Sequence, residues 1–365
     1  RGAALGRIYR DVGFEQLGLV EGWKSLAVDP GNYSAHRLLS DSYLSLPRHE
    51  IARVSELLQS QLLQPINITP VQPQLVESDL FLLGGLGPAE PSLNEFNPLF
   101  QRNRFSLLAS GLAGSNETYG DEVVQSGLWD NLSYSLGQFH QETNGFRDNN
   151  DAELDTYNAF IQGRVAPNIS LQGEFRHREI EHGDLDALFD LTESDIRRTF
   201  RNEANADRYR AGLHFTPTQG SDLIVSFIYQ DVDSLTGKTQ PRTRLDADGY
   251  IVETQYSYGG YSAFDVIAGG GYYTLDSRTT RKQFSEFQTT RHGNAYVYTL
   301  LHYPQAVTWT FGLSTRFHKY DYVLLLPLFG FLAILAMLAS NEDCRVCQDT
   351  APLRSGCPDM SGMCW

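Results

Sequence analysis

The sequence predicts an α-then-all-β chain: a short helical segment, a long run of antiparallel strands, and an apolar, helix-like segment near the carboxyl end. Three patterns support this order. Apolar residues recur every three or four positions between residues 14 and 64, alternate with polar residues from Arg104 onward, and then form an uncharged run. The predicted units are helices at 1–65, a Pro-rich linker at 66–103, strands at 104–320 and an apolar, Cys-rich tail at 321–365.

Composition narrows the class of protein. The 365 residues carry a formal net charge of −15, with 41% hydrophobic residues, 12% aromatic residues and 32 Gly. Few charges and many aromatic residues are atypical of a disordered chain. An acidic chain without a basic stripe is also poorly suited to nucleic acid. The hydrophobic content is too low for a helical membrane protein, but it suits a barrel whose strands place every second residue in lipid.

The helical region has recognisable stops and starts. Asp29 and Pro30 interrupt the first helix, and Asn32 or Ser34 is placed to cap the next. Residues 50–63 put their apolar side chains on one broad face and are predicted to form a further helix. Pro65 ends that helix.

Two helices therefore lie between two prolines, Pro30 and Pro65, that are 35 positions apart. Tetratricopeptide repeats are about 34 residues long and pair two helices in this way. Gly22–Pro65 is predicted to be one such repeat, and a plain helical hairpin is the alternative. Because one repeat cannot bury its own face, neighbouring repeats are expected before it.

From Arg104 the pattern predicts about eleven strands of roughly ten residues each. They begin near Phe105, Glu122, Asn131, Thr156, Ile169, Arg208, Asp222, Tyr250, Ala263, Ala295 and Val307. Polar loops are expected at Asn144–Asp151, His182–Asp186, Ser234–Gly237 and Asp246–Gly249. Two longer charged intervals are expected at Ile180–Asp207 and Asp276–Gly293.

Alternation alone fits either a water-soluble β-sandwich, whose apolar face is the core, or an outer-membrane barrel, whose apolar face meets lipid. Three features favour an antiparallel transmembrane β-barrel. The strands are longer than the usual 5–6 residues, Tyr and Phe cluster near strand ends as in interfacial girdles, and Gly is frequent inside strands, as at Gly269–Gly271. An odd strand count predicts that the barrel is incomplete, because bacterial single-chain barrels are even.

The carboxyl end departs from this pattern. Tyr322–Ala339 has no charge and is about as long as a minimal membrane-spanning helix. A buried helix and a frameshifted or fused segment are the alternatives. All four cysteines follow it, at Cys344, Cys347, Cys357 and Cys364. They are weak candidates for a zinc site, because the second pair is spaced too widely for a tight zinc knuckle, and disulfides or no role are the alternatives.

Several segments together carry a family resemblance: His36–Pro65, Asn94–Phe100 and Gly145–Asp151. With helices followed by strands, the chain resembles bacterial outer-membrane proteins that fuse periplasmic tetratricopeptide repeats to a carboxyl-terminal β-barrel. In that group the barrels are similar to those of exopolysaccharide exporters or TonB-dependent receptors. The resemblance covers residues 14–318 and implies a location in the bacterial outer membrane.

The polar residues at every second position of the strands supply the candidate site. Its ionisable and amide side chains are predicted to line the lumen, at Arg164, Glu174, Arg176, Arg208, Arg210, Glu253, Gln255 and Arg316. Arg binds carboxylates bidentately, and aromatic faces stack on sugar rings, so this lining suits neutral or anionic sugars. Charges that merely pair across the lumen are the alternative for each residue.

Two polar segments are weaker candidates for metal sites. His177–His182 carries ionisable side chains at a strand end, and Asp148–Asp155 offers oxygen ligands for calcium but lacks the spacing of an EF-hand loop. No nucleophile elbow, phosphate loop or HExxH motif is present, so we expect neither an enzyme nor a cofactor.

The predicted function is a porin-like outer-membrane channel or anchor that is coupled to periplasmic helical repeats and serves the export of polysaccharide or another solute. Its expected partners are the lipid bilayer, a periplasmic protein bound by the repeats, and a polysaccharide, but not nucleic acid. The alternatives are an outer-membrane protein that binds or anchors without transport, and a soluble secreted β-sandwich that binds a ligand.

Overall fold

The computed structural model describes residues 2–43, 50–63, 104–185, 199–237, 242–261, 263–281, 284–303, 308–328 and 331–337. Four helices come first: α1 Gly2–Asp11, α2 Glu15–Val28, α3 Tyr33–Tyr43 and α4 Glu50–Leu63. The first six strands are β1 Arg104–Ala113, β2 Tyr119–Trp129, β3 Leu132–Thr143, β4 Ala152–Ala166, β5 Ile169–His182 and β6 Arg201–Phe215. The remaining six are β7 Ser221–Gly237, β8 Thr243–Tyr261, β9 Phe264–Arg281, β10 Phe284–His302, β11 Thr308–Leu328 and β12 Phe331–Met337.

The helices pack in chain order, α1 on α2, α2 on α3 and α3 on α4. Asn32 caps α3 as predicted, since its side-chain oxygen accepts a hydrogen bond from the Ala35 backbone amide at 3.1 Å. Leu38 and Ala35 of α3 are completely buried against Ala3 of α1. The prediction of a tetratricopeptide-like repeat is not tested by this packing and stays a prediction.

His36 joins α3 to α4. Its Nδ1 lies 2.5 Å from Glu56 Oε2, and its Nε2 lies 2.9 Å from the Pro30 carbonyl oxygen. Burial is the largest influence on the His36 pKa and lowers it, but the hydrogen bond and charge of Glu56, with the Pro30 carbonyl, outweigh it and the pKa is raised. The protonated imidazole therefore helps to hold the two helices together at low pH.

All twelve strands form one antiparallel sheet in sequence order, each strand pairing with the next. The eleven predicted strands are confirmed as β1 to β11. At one end of the sheet, two-residue connections at 130–131 and 167–168 join β2 to β3 and β4 to β5. The longest connections, 144–151 and 183–200, lie at the opposite end. The two longest connections share one end, as the long loops of outer-membrane barrels do, although the two-residue connections from β9 to β10 and from β11 to β12 also lie there.

Two predicted polar loops are wrong: Ser234–Gly237 belongs to β7, and Asp246–Gly249 belongs to β8. Likewise, the interval Asp276–Gly293 contains the end of β9 and the start of β10. The ladder continues through these residues, for example between Asp233 and Asp246. Polar composition did not end the strands, because backbone pairing can persist where both faces of a hairpin are solvated.

The predicted apolar helix at Tyr322–Ala339 is also wrong over the residues described. β11 continues to Leu328, and β12 returns antiparallel to it, with Leu328 opposite Phe331 and Tyr322 opposite Met337. An apolar run without alternation does not distinguish a helix from strands that are apolar on both faces. The linker at 66–103 and the four cysteines lie outside the described residues.

The sheet has two chemically different faces. We call the face that contains Gln162, Gln172, Gly212, Ser226 and Glu253 the inner face, since these residues pair directly across β4 to β8. The other face is called the outer face. α4 packs on the inner face, with Leu58 and Leu62 in one buried cluster with β7.

The middle of the outer face is apolar and exposed, whereas charged residues such as Glu179 lie on the same face toward the end with the longest connections. An aromatic band crosses it from β5 to β11. Its ring centroids lie 5.0 Å apart for Phe175–Tyr209, 6.1 Å for Tyr209–Tyr229, 6.1 Å for Tyr250–Tyr272 and 6.2 Å for Tyr272–Phe317. Exposed aliphatic residues such as Ile161, at 52% exposure, and Leu313, at 79%, continue this surface. Among the described helices, none is long and apolar enough to span a bilayer.

Candidate functional site

The eight predicted lumen-facing residues share one face of the sheet. Four of them form direct cross-strand pairs, Glu174 with Arg210 and Arg176 with Arg208. The register places the other four on the same inner face: Arg164, Glu253, Gln255 and Arg316. That they line a lumen stays a prediction. The structure brings four of them together on β5 and β6 and leaves the others apart.

Glu174 is the centre of a buried charge cluster on β4, β5 and β6. Its Oε1 accepts hydrogen bonds from Asn158 Nδ2 at 2.7 Å and from Arg176 Nη2 at 3.1 Å. Its Oε2 forms an ion pair with Arg210 Nη2. The side chains of Glu174, Arg176 and Arg210 are at most 4% exposed. Such a cluster requires its carboxylate, because burying a guanidinium without a counter-charge is costly.

The cluster extends along β6 through Arg208, whose Nε donates a hydrogen bond to Gln230 Oε1 at 3.2 Å. Arg208 is buried, whereas Arg164 is exposed near the end of β4. The buried part of the cluster therefore includes Glu174 and three arginines.

α4 contacts this face through polar side chains as well as leucines. Gln162 Nε2 donates to the Gln61 carbonyl oxygen at 3.3 Å, and Gln172 Nε2 donates to Gln61 Oε1 at 2.9 Å. Ser55 donates a hydrogen bond to the Glu253 carboxylate. These contacts bridge β4, β5 and β8, so a single helix covers the middle of the inner face.

Beside α4 lies a small cavity of about 80 Å3 with a mainly polar lining that includes Gln59, Glu253, Gln255 and Tyr296. Tyr296 Oη donates a hydrogen bond to Gln255 Oε1 at 2.9 Å. The two predicted residues Glu253 and Gln255 therefore have different neighbours: Glu253 contacts the helix, and Gln255 holds a tyrosine.

A larger groove of about 510 Å3 follows on β10 and β11. Its lining consists of Asn294, Ala295, Tyr296, Tyr298, Ser314, Thr315 and Arg316. The sequence prediction included Arg316 but missed both tyrosines and Asn294. Alternation along β10 predicts that these residues share the polar face. Their proximity to Arg316 depends on the register between β10 and β11, which the sequence does not specify.

The two tyrosines are held in place by glycines on neighbouring strands. A Cβ atom at Gly269 of β9 would lie 2.5 Å from Tyr296 Oη, and one at Gly312 of β11 would lie 2.5 Å from the Tyr298 ring. The rings therefore occupy the space above glycines, an arrangement that fixes aromatic side chains on a sheet. Their centroids lie 5.7 Å apart.

The loops at the long-connection end are tightly built. Asn150 Nδ2 and Arg147 Nη2 each donate to the Asp184 carbonyl oxygen at 2.9 Å. Gly145 has a φ of 69°, and a Cβ there would lie 2.1 Å from the Asn150 carbonyl oxygen. Only glycine fits this position. Because these polar groups bond one another, the loop has a structural explanation that does not require the predicted calcium ion.

The other metal candidates have mixed outcomes. His177 Nδ1 lies 2.8 Å from Asp207 Oδ1, and His182 Nδ1 donates to the Gly183 carbonyl oxygen at 2.7 Å, so both rings have protein partners. Among the described residues, Glu153 and Asp155 of the predicted calcium segment lie beside His140, which the sequence analysis missed, and the ligand atoms of the three lie within 4.8 Å of one another. They lie on adjacent strands of the outer face, where His140 is opposite Asp155.

No protein-family model matches the chain. No curated protein matches it either. Among solved structures it is similar to the alcaligin outer membrane receptor FauA from Bordetella pertussis, with 12% identity over 65% of this chain and 40% of that chain and a TM-score of 0.47.

The ferric yersiniabactin uptake receptor FyuA from Yersinia pestis aligns with 12% identity over 64% of this chain and 42% of that one, with a TM-score of 0.49. The ferripyoverdine receptor of the outer membrane of Pseudomonas aeruginosa aligns with 12% identity over 65% and 40%, with a TM-score of 0.45. The chain thus spans about two fifths of the length of these receptors.

Proposed function

We propose that the chain forms the wall of an outer-membrane barrel that passes a solute, with α4 lying across the inner face and restricting the path. The observation that carries this proposal is the contrast between the two faces. A helix and a buried charge cluster lie on the polar inner face, and the apolar outer face is exposed.

This contrast argues against a soluble sandwich. In a sandwich the apolar faces of two sheets pack together and the polar faces meet water. Here Ile161 and Phe227 are 52% and 42% exposed, while Glu174 and Arg176 are buried. An exposed apolar face with an aromatic band is the arrangement that a bilayer stabilises.

Transport is favoured over a simple anchor by the chemistry under α4. The apolar part of the contact consists of Leu58 and Leu62 of the helix against Ile224 and Ile228, and hydrogen bonds supply the rest. A contact of this size is small enough for the helix to leave the sheet while the strands stay paired, which a passage requires and an anchor does not. Export of polysaccharide and a periplasmic partner for the helices stay predictions.

Conductance of the full chain reconstituted in planar bilayers tests this proposal. Leu58→Glu places a charge in the buried contact and should loosen α4, so we expect current steps that are larger or more frequent than in the unmodified protein. Leu17→Glu is the matched control, since Leu17 of α2 is 47% exposed. A Leu58→Glu protein that inserts and migrates as a folded barrel but gives no current would support the non-transporting anchor instead.

A further inference from the structure

We propose that His140, Glu153 and Asp155 form a binding site for a divalent transition-metal ion such as Zn²⁺. One ligand atom from each of the three side chains lies within 4.8 Å of the other two. The site lies on the outer face of β3 and β4, on the opposite side of the sheet from α4, so it does not depend on the proposed passage. A bound ion would link these two strands near the end with the longest connections.

The ladder between β3 and β4 sets the spacing of the ligand atoms. His140 lies directly opposite Asp155, and Glu153 precedes Asp155 by two residues on the same face of β4. His140 Nδ1 lies 2.9 Å from Asp155 Oδ1. Two ligands that are each about 2.1 Å from one metal ion, at right angles to each other, are about 3.0 Å apart. The His140–Asp155 pair therefore has the spacing of two ligands of one ion, and a metal would replace the proton between them.

The surroundings hold two of the ligands in place and leave the third open. The side chains of His140 and Asp155 are 20% and 21% exposed, and the Tyr119 ring lies 5.7 Å from the His140 ring. Glu153 is exposed, so water has access to the site from that side. Zinc is commonly bound by three protein ligands with water in the fourth position.

The neighbouring side chains on this face carry an excess of negative charge. Three cross-strand pairs place carboxylates directly opposite one another: Glu142 with Glu153, Glu153 with Glu181, and Asp155 with Glu179. Like charges in such positions destabilise a sheet. Among the described residues, none of these carboxylates forms an ion pair with Lys or Arg. A divalent cation at this site would offset the repulsion.

The imidazole distinguishes this site from a calcium site and from a merely acidic surface. Ca²⁺ takes oxygen ligands, whereas imidazole together with carboxylate suits zinc. The same face contains a second His–Asp pair, in which His177 Nδ1 lies 2.8 Å from Asp207 Oδ1. Within the part of the chain that the structure describes, no third ligand atom completes a group around that pair. Zinc should therefore bind at His140 and not at His177.

Isothermal titration calorimetry of the folded full chain in uncharged detergent micelles tests the proposal, with zinc chloride and calcium chloride as probes. The four cysteines are replaced by serine in every protein compared, because thiolates also bind zinc. We expect Zn²⁺ to bind more tightly than Ca²⁺. His140→Ala and Glu153→Gln should each weaken zinc binding by about tenfold or more, since even the loss of a residue that only orients a ligand costs about 10–100-fold. His177→Ala is the matched control and should leave the affinity unchanged.

Unfolding by urea supplies a second readout. Saturating Zn²⁺ should raise the urea concentration at the unfolding midpoint of the cysteine-free protein and of His177→Ala, but not of His140→Ala, because an ion that binds only the folded sheet stabilises it. Glu153 is exposed, so Glu153→Gln should fold normally and keeps the test valid if His140→Ala does not. Equal affinities for Zn²⁺ and Ca²⁺, zinc binding that neither variant weakens, or no zinc binding at all would each overturn the proposal.

Discussion

Replacing Glu174 by alanine is expected to destabilise the folded sheet by about 3–5 kcal/mol, the cost of breaking a buried ion pair by removing one partner. Glu174 accepts hydrogen bonds from Asn158 and Arg176 and pairs with Arg210. Its removal leaves two buried guanidinium groups without the carboxylate that neutralises them. The free energy of unfolding, measured by urea titration of the full chain in detergent or lipid vesicles, gives the effect directly.

Glu179→Ala provides the control for Glu174→Ala. Glu179 lies five residues further along β5, on the outer face, and is exposed. Its loss should change the free energy of unfolding by less than about 0.5 kcal/mol, as for most surface substitutions. If the two variants were equally stable, the buried charge cluster would not be a structural centre of the inner face.

Replacing Ile161 by lysine is expected to cost about 2–4 kcal/mol in a bilayer, as for a lysine near the middle of the lipid-facing band of a barrel. Ile161 lies on the outer face of β4, between Val165 and the aromatic Tyr157, and is 52% exposed. A position so exposed would accept lysine at almost no cost in water. Urea titration in lipid vesicles should therefore show a large loss of stability.

The matched control for Ile161→Lys is Asn205→Lys. Asn205 is an exposed outer-face residue of β6, opposite Glu179 and Asp233 and beyond the aromatic band. Its replacement should leave the free energy of unfolding almost unchanged. Equal, small effects of both lysines would argue that the outer face meets water.

The order of helices and strands could be predicted from the sequence, because the spacing of apolar residues differs between a helix and a strand. Alternation located eleven strands, and α4 matches the predicted Glu50–Leu63 helix. Alternation also assigned Glu174, Arg176, Arg208 and Arg210 to one face, since successive side chains in a strand point to opposite sides.

Long-range arrangement was not readable in the same way. The polar hairpin through Asp246 looked like a loop because solvated strands have loop-like composition, and the apolar pair β11–β12 looked like a helix because it lacks alternation. The position of α4 on the inner face depends on contacts such as Leu62 against Gly212, 150 residues apart in the chain. Nothing in the local pattern of either segment encodes that distance.

The outer face of the sheet is expected to meet lipid, and the inner face is not. Collision relaxation of spin labels along β8 tests this most directly, with single labels placed in turn at residues 250–256 of a variant that lacks the native cysteines and is reconstituted in vesicles. Val252, Thr254 and Tyr256 are expected to be relaxed by oxygen dissolved in the bilayer, while Ile251, Glu253 and Gln255 should be protected from it. Labels that all respond to a water-soluble relaxant, or a reversed alternation, would contradict a lipid-facing outer face.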